Sequence, residues 1–212
     1  MTTTDILNLI LSVCTVSIAG FALWQTHKQI KISNKQHLFD RRLEKFLLIR
    51  DLISLYKNNS KLLNKETIAE LVDMPFNWLI NCARLEETYC IMQSPLGDKE
   101  KKIFLSKCEE LEHSAVEIKL IWRNDYGNLA SKFVSQYVNL LRAMHRQQIV
   151  INDLEEKSAR NPLPLEVTQE RNMTAARTNG LFSAIDDIKV TYEQMESCSL
   201  EAKLEESISL PK

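Results

Sequence analysis

From Ile6 to Trp24 the chain is almost continuously apolar, and beyond Trp24 charged positions interleave with a helical apolar stripe. At a rise of about 1.5 Å per residue the first run makes a helix roughly 28 Å long, close to the roughly 30 Å hydrocarbon thickness of a bilayer. The pattern predicts a transmembrane helix over 6–24, preceded by a short extracytoplasmic N-terminus over 1–5. Asn8 is its costly polar residue, while Ser12, Thr15 and Ser17 can return their hydroxyls to carbonyls of the preceding turn. Trp24 stands where an interfacial aromatic belongs. A cleaved leader fits poorly, because residues 1–5 carry no basic side chain and Trp24-Gln25-Thr26-His27 lacks small residues for cleavage. A buried core helix of a soluble protein is the other reading of the run.

From Gln25 to Tyr56 there is neither Gly nor Pro, and Phe39, Leu43, Phe46, Ile49, Ile53 and Tyr56 recur in steps of three or four. This spacing predicts a basic juxtamembrane helix over 25–60, continuous or gently broken from bilayer to domain, with Asn58-Asn59-Ser60 as a turn. A short helix is expected from Asn64, carrying Ile68, Leu71 and Val72 and ending before Pro75. The next, to Gln93, presents Phe76, Leu79, Ile80, Ala83, Cys90 and Ile91, and Ser94-Pro95-Leu96-Gly97 breaks it. Asp98 is then placed to cap a helix whose apolar residues Phe104, Cys108, Leu111, Ala115, Ile118 and Trp122 alternate in steps of four and three, a heptad seam. After Asn124-Asp125-Tyr126-Gly127, one stripe holds Phe133, Tyr137, Leu140, Met144, Ile151 and Leu154 and an adjoining one Val134, Val138 and Leu141, so neighbours are expected on two sides. Past Asn161-Pro162-Leu163-Pro164 a last helix is expected over 165–198 with Leu181, Ile185, Ile188, Tyr192 and Met195 in register, followed by a polar, fraying tail over 199–212.

Composition sharpens the fold class. Four glycines and five prolines in 212 residues leave few turns for a sheet, so the expectation is all-α, with an N-terminal transmembrane helix continuing into a cytoplasmic antiparallel helical bundle over 61–198. A coiled-coil oligomer is the alternative destination for the seams. Charge sets the orientation: Lys28, Lys31, Lys35, Arg41, Arg42, Lys45 and Arg50 follow the apolar run against Asp40 and Glu44. The positive-inside rule then places the amino terminus outside and the remainder in the cytoplasm. The formal net charge of −1 and the confinement of the basic excess to this stretch argue against a nucleic-acid partner and for anionic lipid, with Lys28, Lys31 and Lys35 as membrane-surface contacts.

Catalytic patterns are scarce. Cys14, Cys82, Cys90, Cys108 and Cys198 contain no Cys-x-x-Cys pair and read as reduced, mostly buried thiols, although a reactive role for Cys82, Cys90 or Cys108 stays open. Glu110 and His113 form one Glu-x-x-His pair where a bundle di-metal site needs two, so His113 reads as a solvated helix residue and no metal or cofactor is expected. The isolated Gly20, Gly97, Gly127 and Gly180 supply no phosphate-cradling loop. Phe39, Arg41 and Arg42 are the candidate interaction residues, the plainer alternative being arginines paired along the helix, as Arg41 with Glu44.

The string Leu38-Phe39-Asp40-Arg41-Arg42-Leu43-Glu44, after an N-terminal membrane helix and a polar extension, resembles bacterial single-pass membrane-anchored helical proteins in which a Leu-Phe-Asp-x-Arg segment opens the cytoplasmic helices. The resemblance covers about the first quarter of the chain, and Phe46 stands where the group often has Tyr. It implies a bacterial inner-membrane setting and no mechanism. The expected function is a noncatalytic interaction or scaffold module that binds a protein partner or itself; the alternative is a stress- or phage-defence effector whose membrane helices oligomerise and perturb the bilayer. An enzyme using a carboxylate or cysteine site ranks third.

Overall fold

Where nothing interrupts the backbone ladder, an amphipathic or uniformly apolar sequence stays helical until a turn-forming residue stops it. The computed structural model describes residues 3–60, 80–89, 91, 94–162 and 164–208, the side chains of 3, 5–10 and 13 excepted. Among the described residues the fold is all-α: six α-helices, one short 3-10 helix and no strand. The chain divides into two compact units, Met1–Glu44 and Lys45–Lys212.

Helix α1 (Thr3–Asn59) has 57 residues. In the first unit Thr15 Oγ1 donates to the Leu11 carbonyl, as the spacing anticipated, and Thr26 Oγ1 donates to that of Ala22, both at 2.8 Å. Among the described residues no helix is long and apolar enough to cross a membrane. Side chains 5–10 and 13, which supply the apolar start of the run, lie outside them. What the fold establishes over 6–24 is the helix.

The second unit is built from residues 45–60 of α1 with α2 (Asp98–Ile121), α3 (Asp125–Arg160), α4 (Leu165–Thr178), α5 (Leu181–Ser197) and α6 (Leu200–Ile208). The heptad seam of α2 is its most predictable part: none of Phe104, Cys108, Leu111, Ala115, Ile118 or Trp122 is more than 3 % exposed. The adjoining stripes of α3 are buried as well, except at the half-buried Met144, and α3 packs against α2, α4, α5 and α6. Residue pairs across α2 and α3 run in opposite order, with Trp122 against Gly127, Glu112 against Arg142 and Phe104 against His145. The two helices are therefore antiparallel. Their connection is tight because Asn124 caps α3, its side chain accepting from the Gly127 amide at 2.8 Å. A Cβ at Gly127 would lie 1.9 Å from the Trp122 carbonyl oxygen, so only glycine permits this approach.

Five features depart from the sequence expectations, the first being that Gly97, not Asp98, stands at the N-cap of α2 and no side chain caps it. Residues 45–60 belong to the bundle, because beside the expected stripe a second one, Leu48, Leu52 and Leu55, is buried. The helix expected from Asn64 to Pro75 lies outside the described residues, but the one expected to Gln93 is not helical over 80–85. There Cys82, Leu85 and Thr88 make tight turn bonds and Arg84 is held by Asp51 of α1 at 2.8 Å, leaving the short 3-10 helix Glu86–Tyr89. The helix expected over 165–198 is split at Asn179-Gly180, where Gly180 takes φ 74° in the left-handed region and ends α4. Over 200–208 the expected fraying tail is instead α6, with Leu200, Leu204 and Ile208 buried. Ser207 Oγ accepts from Trp122 Nε1 at 2.7 Å and Lys203 Nζ stands 4.3 Å from the centre of the Tyr126 ring. Leucines and isoleucine four apart give that segment one apolar face, and α6 packs on α3 and α5.

Two stability predictions follow from this packing. Trp122→Ala should destabilise the bundle by about 3 to 5 kcal/mol, read as a lowered denaturation midpoint. Ser199, between α5 and α6, holds φ 53°, a strained value for a residue with a side chain; Ser199→Gly should therefore raise stability by about 0.5 to 1 kcal/mol in the same measurement.

Candidate functional site

Lys28, Lys31 and Lys35 lie three and four positions apart, so α1 carries them on one stripe below Trp24. All three are exposed. Lys28 Nζ stands 5.5 Å from the Trp24 ring, and Phe21 packs its own ring 5.7 Å from Trp24. The flanking concavity is lined by His27, Ile30, Lys31, Asn34, Lys35 and Leu38. Ammonium groups above an apolar strip can contact an anionic surface while their stems stay against carbon.

The structure does not gather the other candidates into one constellation. Phe39 is half-buried and Arg41 exposed; two positions apart, they point roughly 200° apart around the helix. Arg42 is half-buried on the lysine side of α1.

Sequence spacing missed the polar groups inside the bundle. Lys45 is buried, its ammonium 2.9 Å from a Glu117 carboxylate oxygen and donating to Ser114 Oγ at 3.1 Å, which ties α1 to α2. Its place among basic neighbours in the sequence hides that role. His145 is buried against Phe104, ring centres 4.7 Å apart, and its Nε2 donates to the Pro95 carbonyl at 3.0 Å. Burial depresses its pKa, opposed by the Pro95 bond and aided by Lys101 and Arg146. Cys108 contacts the Arg142 guanidinium, yet burial prevails and pushes the thiol up to about 11, so it is neutral near pH 7 and a poor nucleophile. Arg142 itself is held charged by Glu112 at 2.5 Å. Cys14, Cys82, Cys108 and Cys198 are free thiols.

A cleft of about 500 Å³ opens where α1, α5 and α6 meet. Ile53, Met195 and Leu200 form its apolar floor, and exposed Glu196, Glu201 and Glu205 surround it with Lys57. Tyr192 donates to Glu196 at 2.5 Å and stacks 4.9 Å from Tyr56. Burial, then the carboxylate, drives the Tyr192 pKa far up, and burial with Glu193 pushes Tyr56 up to about 12. Both phenols are neutral, and the carboxylates favour a cationic over an anionic occupant. Among the described residues no three His, Cys, Asp or Glu side chains converge as a metal ion would need, and His113 is exposed.

No family model matches the chain, nor does any curated protein or solved structure.

His145 generates a pH prediction. Its folded pKa lies below the ordinary 6.5, so as pH falls through 6.5 the unfolded chain takes up a proton that the folded chain refuses, and stability declines. Above that range His145 adds no pH dependence. His145→Gln should flatten the decline in urea midpoint between about pH 7.5 and about pH 5.5, whereas an unchanged slope would assign it to other groups. His113→Ala, on an exposed face, should change stability by less than about 0.5 kcal/mol and leave the metal content of the purified protein unaltered.

Proposed function

We propose that the chain is a single-pass membrane protein whose N-terminal helix anchors a cytoplasmic bundle to the bacterial inner membrane, where the bundle and its adjoining helix act, without catalysis, as an interaction module for a protein partner or a second copy. The observation that carries this reading is the distribution of apolar side chains on α1. Leu11, Val16, Ile18, Phe21, Leu23 and Trp24 are 58 to 73 % exposed, and at roughly 100° per residue they point to every side of the helix. A helix resting on a protein core is apolar along one stripe; one apolar all round suits lipid or deep burial. The internal hydroxyl bond of Thr15 satisfies a polar group that lipid could not. Trp24 with Lys28, Lys31 and Lys35 supplies the interfacial aromatic and the cations expected on the cytoplasmic side.

The noncatalytic part of the reading rests on how the bundle uses its ionisable groups. Lys45, Glu112, Arg142 and His145 hold helices together, and burial keeps the Cys108 thiol protonated.

Carbonate washing should leave the full-length protein in the membrane fraction, and a reporter fused after Lys212 should be active on the cytoplasmic side. Release by carbonate would refute the anchor. Labelling of Cys198 by an impermeant reagent in intact cells would refute the orientation.

A further inference from the structure

Beyond the apolar run, α1 does not become uniformly polar. Ile32, Gln36, Phe39 and Leu43 follow one another in steps of four, three and four, and the same alternation continues upstream through Gln29, Gln25 and Ala22. Ile32 and Leu43 are 48 % and 37 % exposed, the three glutamines are exposed and Phe39 is half-buried. Lys31 points away from this face, whereas Lys28, like Lys35 seven residues on, immediately precedes a core position and flanks it. Alternating steps of three and four keep a face in register with a neighbouring helix and define a coiled-coil seam.

We infer that this seam pairs with the same seam of a second copy, parallel and in register, so that two anchored chains are joined between membrane and bundle. The inference rests on the anchored reading above, since two chains inserted with the same topology present their α1 helices in the same direction.

Charge complementarity selects that arrangement. With Gln36 and Leu43 at the first core position of the heptad and Ile32 and Phe39 at the fourth, Lys35 immediately precedes a core position and Asp40 immediately follows one. In a parallel, in-register pair such positions face each other across the seam five residues apart, so Lys35 of each chain meets Asp40 of the other, twice by symmetry. An antiparallel pair would set like positions together, lysine facing lysine. Gln29 and Gln36 at the first core position can bond to their own counterparts across the axis, which favours one register at a cost in stability. The seam from Gln25 to Leu43 is shorter than a stable isolated coiled coil. Confinement of both helices in one membrane raises their effective concentration and removes that limitation.

The test uses the full-length protein in native membranes, with Cys14→Ser as the parent. Gln36→Cys places a thiol in the seam and Asn34→Cys places one on the outer face. Under mild oxidation Gln36→Cys should form a dimer of twice the chain mass at least tenfold more than Asn34→Cys or the parent. Asp40→Lys should reduce that crosslink severalfold, and Lys35→Glu combined with Asp40→Lys should restore it. Equal crosslinking at both positions, no dimer from protein retained after carbonate washing, indifference to charge reversal, or a crosslink to a protein of another mass would each overturn the pairing. Release of the protein by carbonate is the separate failure of the anchored reading, and the pairing falls with it.

Discussion

Between Lys132 and Arg142, helix α3 carries no charged side chain, and Phe133, Val134, Tyr137, Val138, Leu140 and Leu141 are all buried. Such a surface is wider than one neighbouring helix can cover, because the two stripes face different directions. Closing it requires helices on more than one side, and α2, α4, α5 and α6 all pack on α3. Tyr56 of α1 adds an aromatic contact, its ring edge-on to Phe133 at 6.2 Å. The order of the bundle is set by that demand: α2 reaches α3 through the turn at Gly127, and α5 packs on it after the break at Gly180.

Legibility in the sequence follows from how many surfaces each element must satisfy. Helix α2 buries one seam, so its steps of four and three survive undisturbed and name its core residues. The second half of α1 buries a wider face, and its extra stripe, Leu48, Leu52 and Leu55, does not stand out against a pattern already assigned to Phe46, Ile49, Ile53 and Tyr56. The break at Asn179-Gly180 carried a local signal, since that dipeptide favours left-handed backbone, but the apolar register of Leu181 and Ile185 continued the pattern and masked it. Helix α6 was hidden by its glutamates: three apolar residues spaced by four suffice for a short docked helix, whatever the average polarity of the segment. Over 80–89 the backbone follows long-range ties, such as Arg84 to Asp51, that no local spacing encodes. Among the candidate contacts, the lysine stripe was legible because helical geometry alone fixes it, while the divergence of Phe39 and Arg41 required only the same geometry applied residue by residue.

The polar groups inside the bundle carry a different kind of information from its apolar ones. A buried ammonium such as Lys45 loses hydration that Glu117 and Ser114 must replace, so it tolerates one packing of α1 on α2 and penalises others. Gln147 and Gln148 sit deep in α3, and among the described residues their side-chain oxygens find no hydrogen-bond partner, although Gln147 Nε2 donates to the Asn172 carbonyl at 3.2 Å. The unpartnered Gln147 oxygen reduces stability at the α3–α4 contact. The α2–α3 contact, with its uninterrupted seam and the Glu112–Arg142 pair, is the better satisfied half of the bundle.

The bond from Trp122 to Ser207 joins residues 85 positions apart, and it has a temporal meaning. Chains are made from the amino end, and domains tend to fold as their segments emerge. Here α2 and α3 can meet early, but the turn that joins them stays partly uncovered until α6 has been synthesised, because Lys203 and Ser207 lie against Tyr126 and Trp122 there. Through that interval Trp122 and Tyr126 offer an aromatic surface to whatever binds nascent chains. The α2–α3 turn is thus closed by a segment made long after it, so a product that stops before α6 and one that includes it present different surfaces to the cell's quality control.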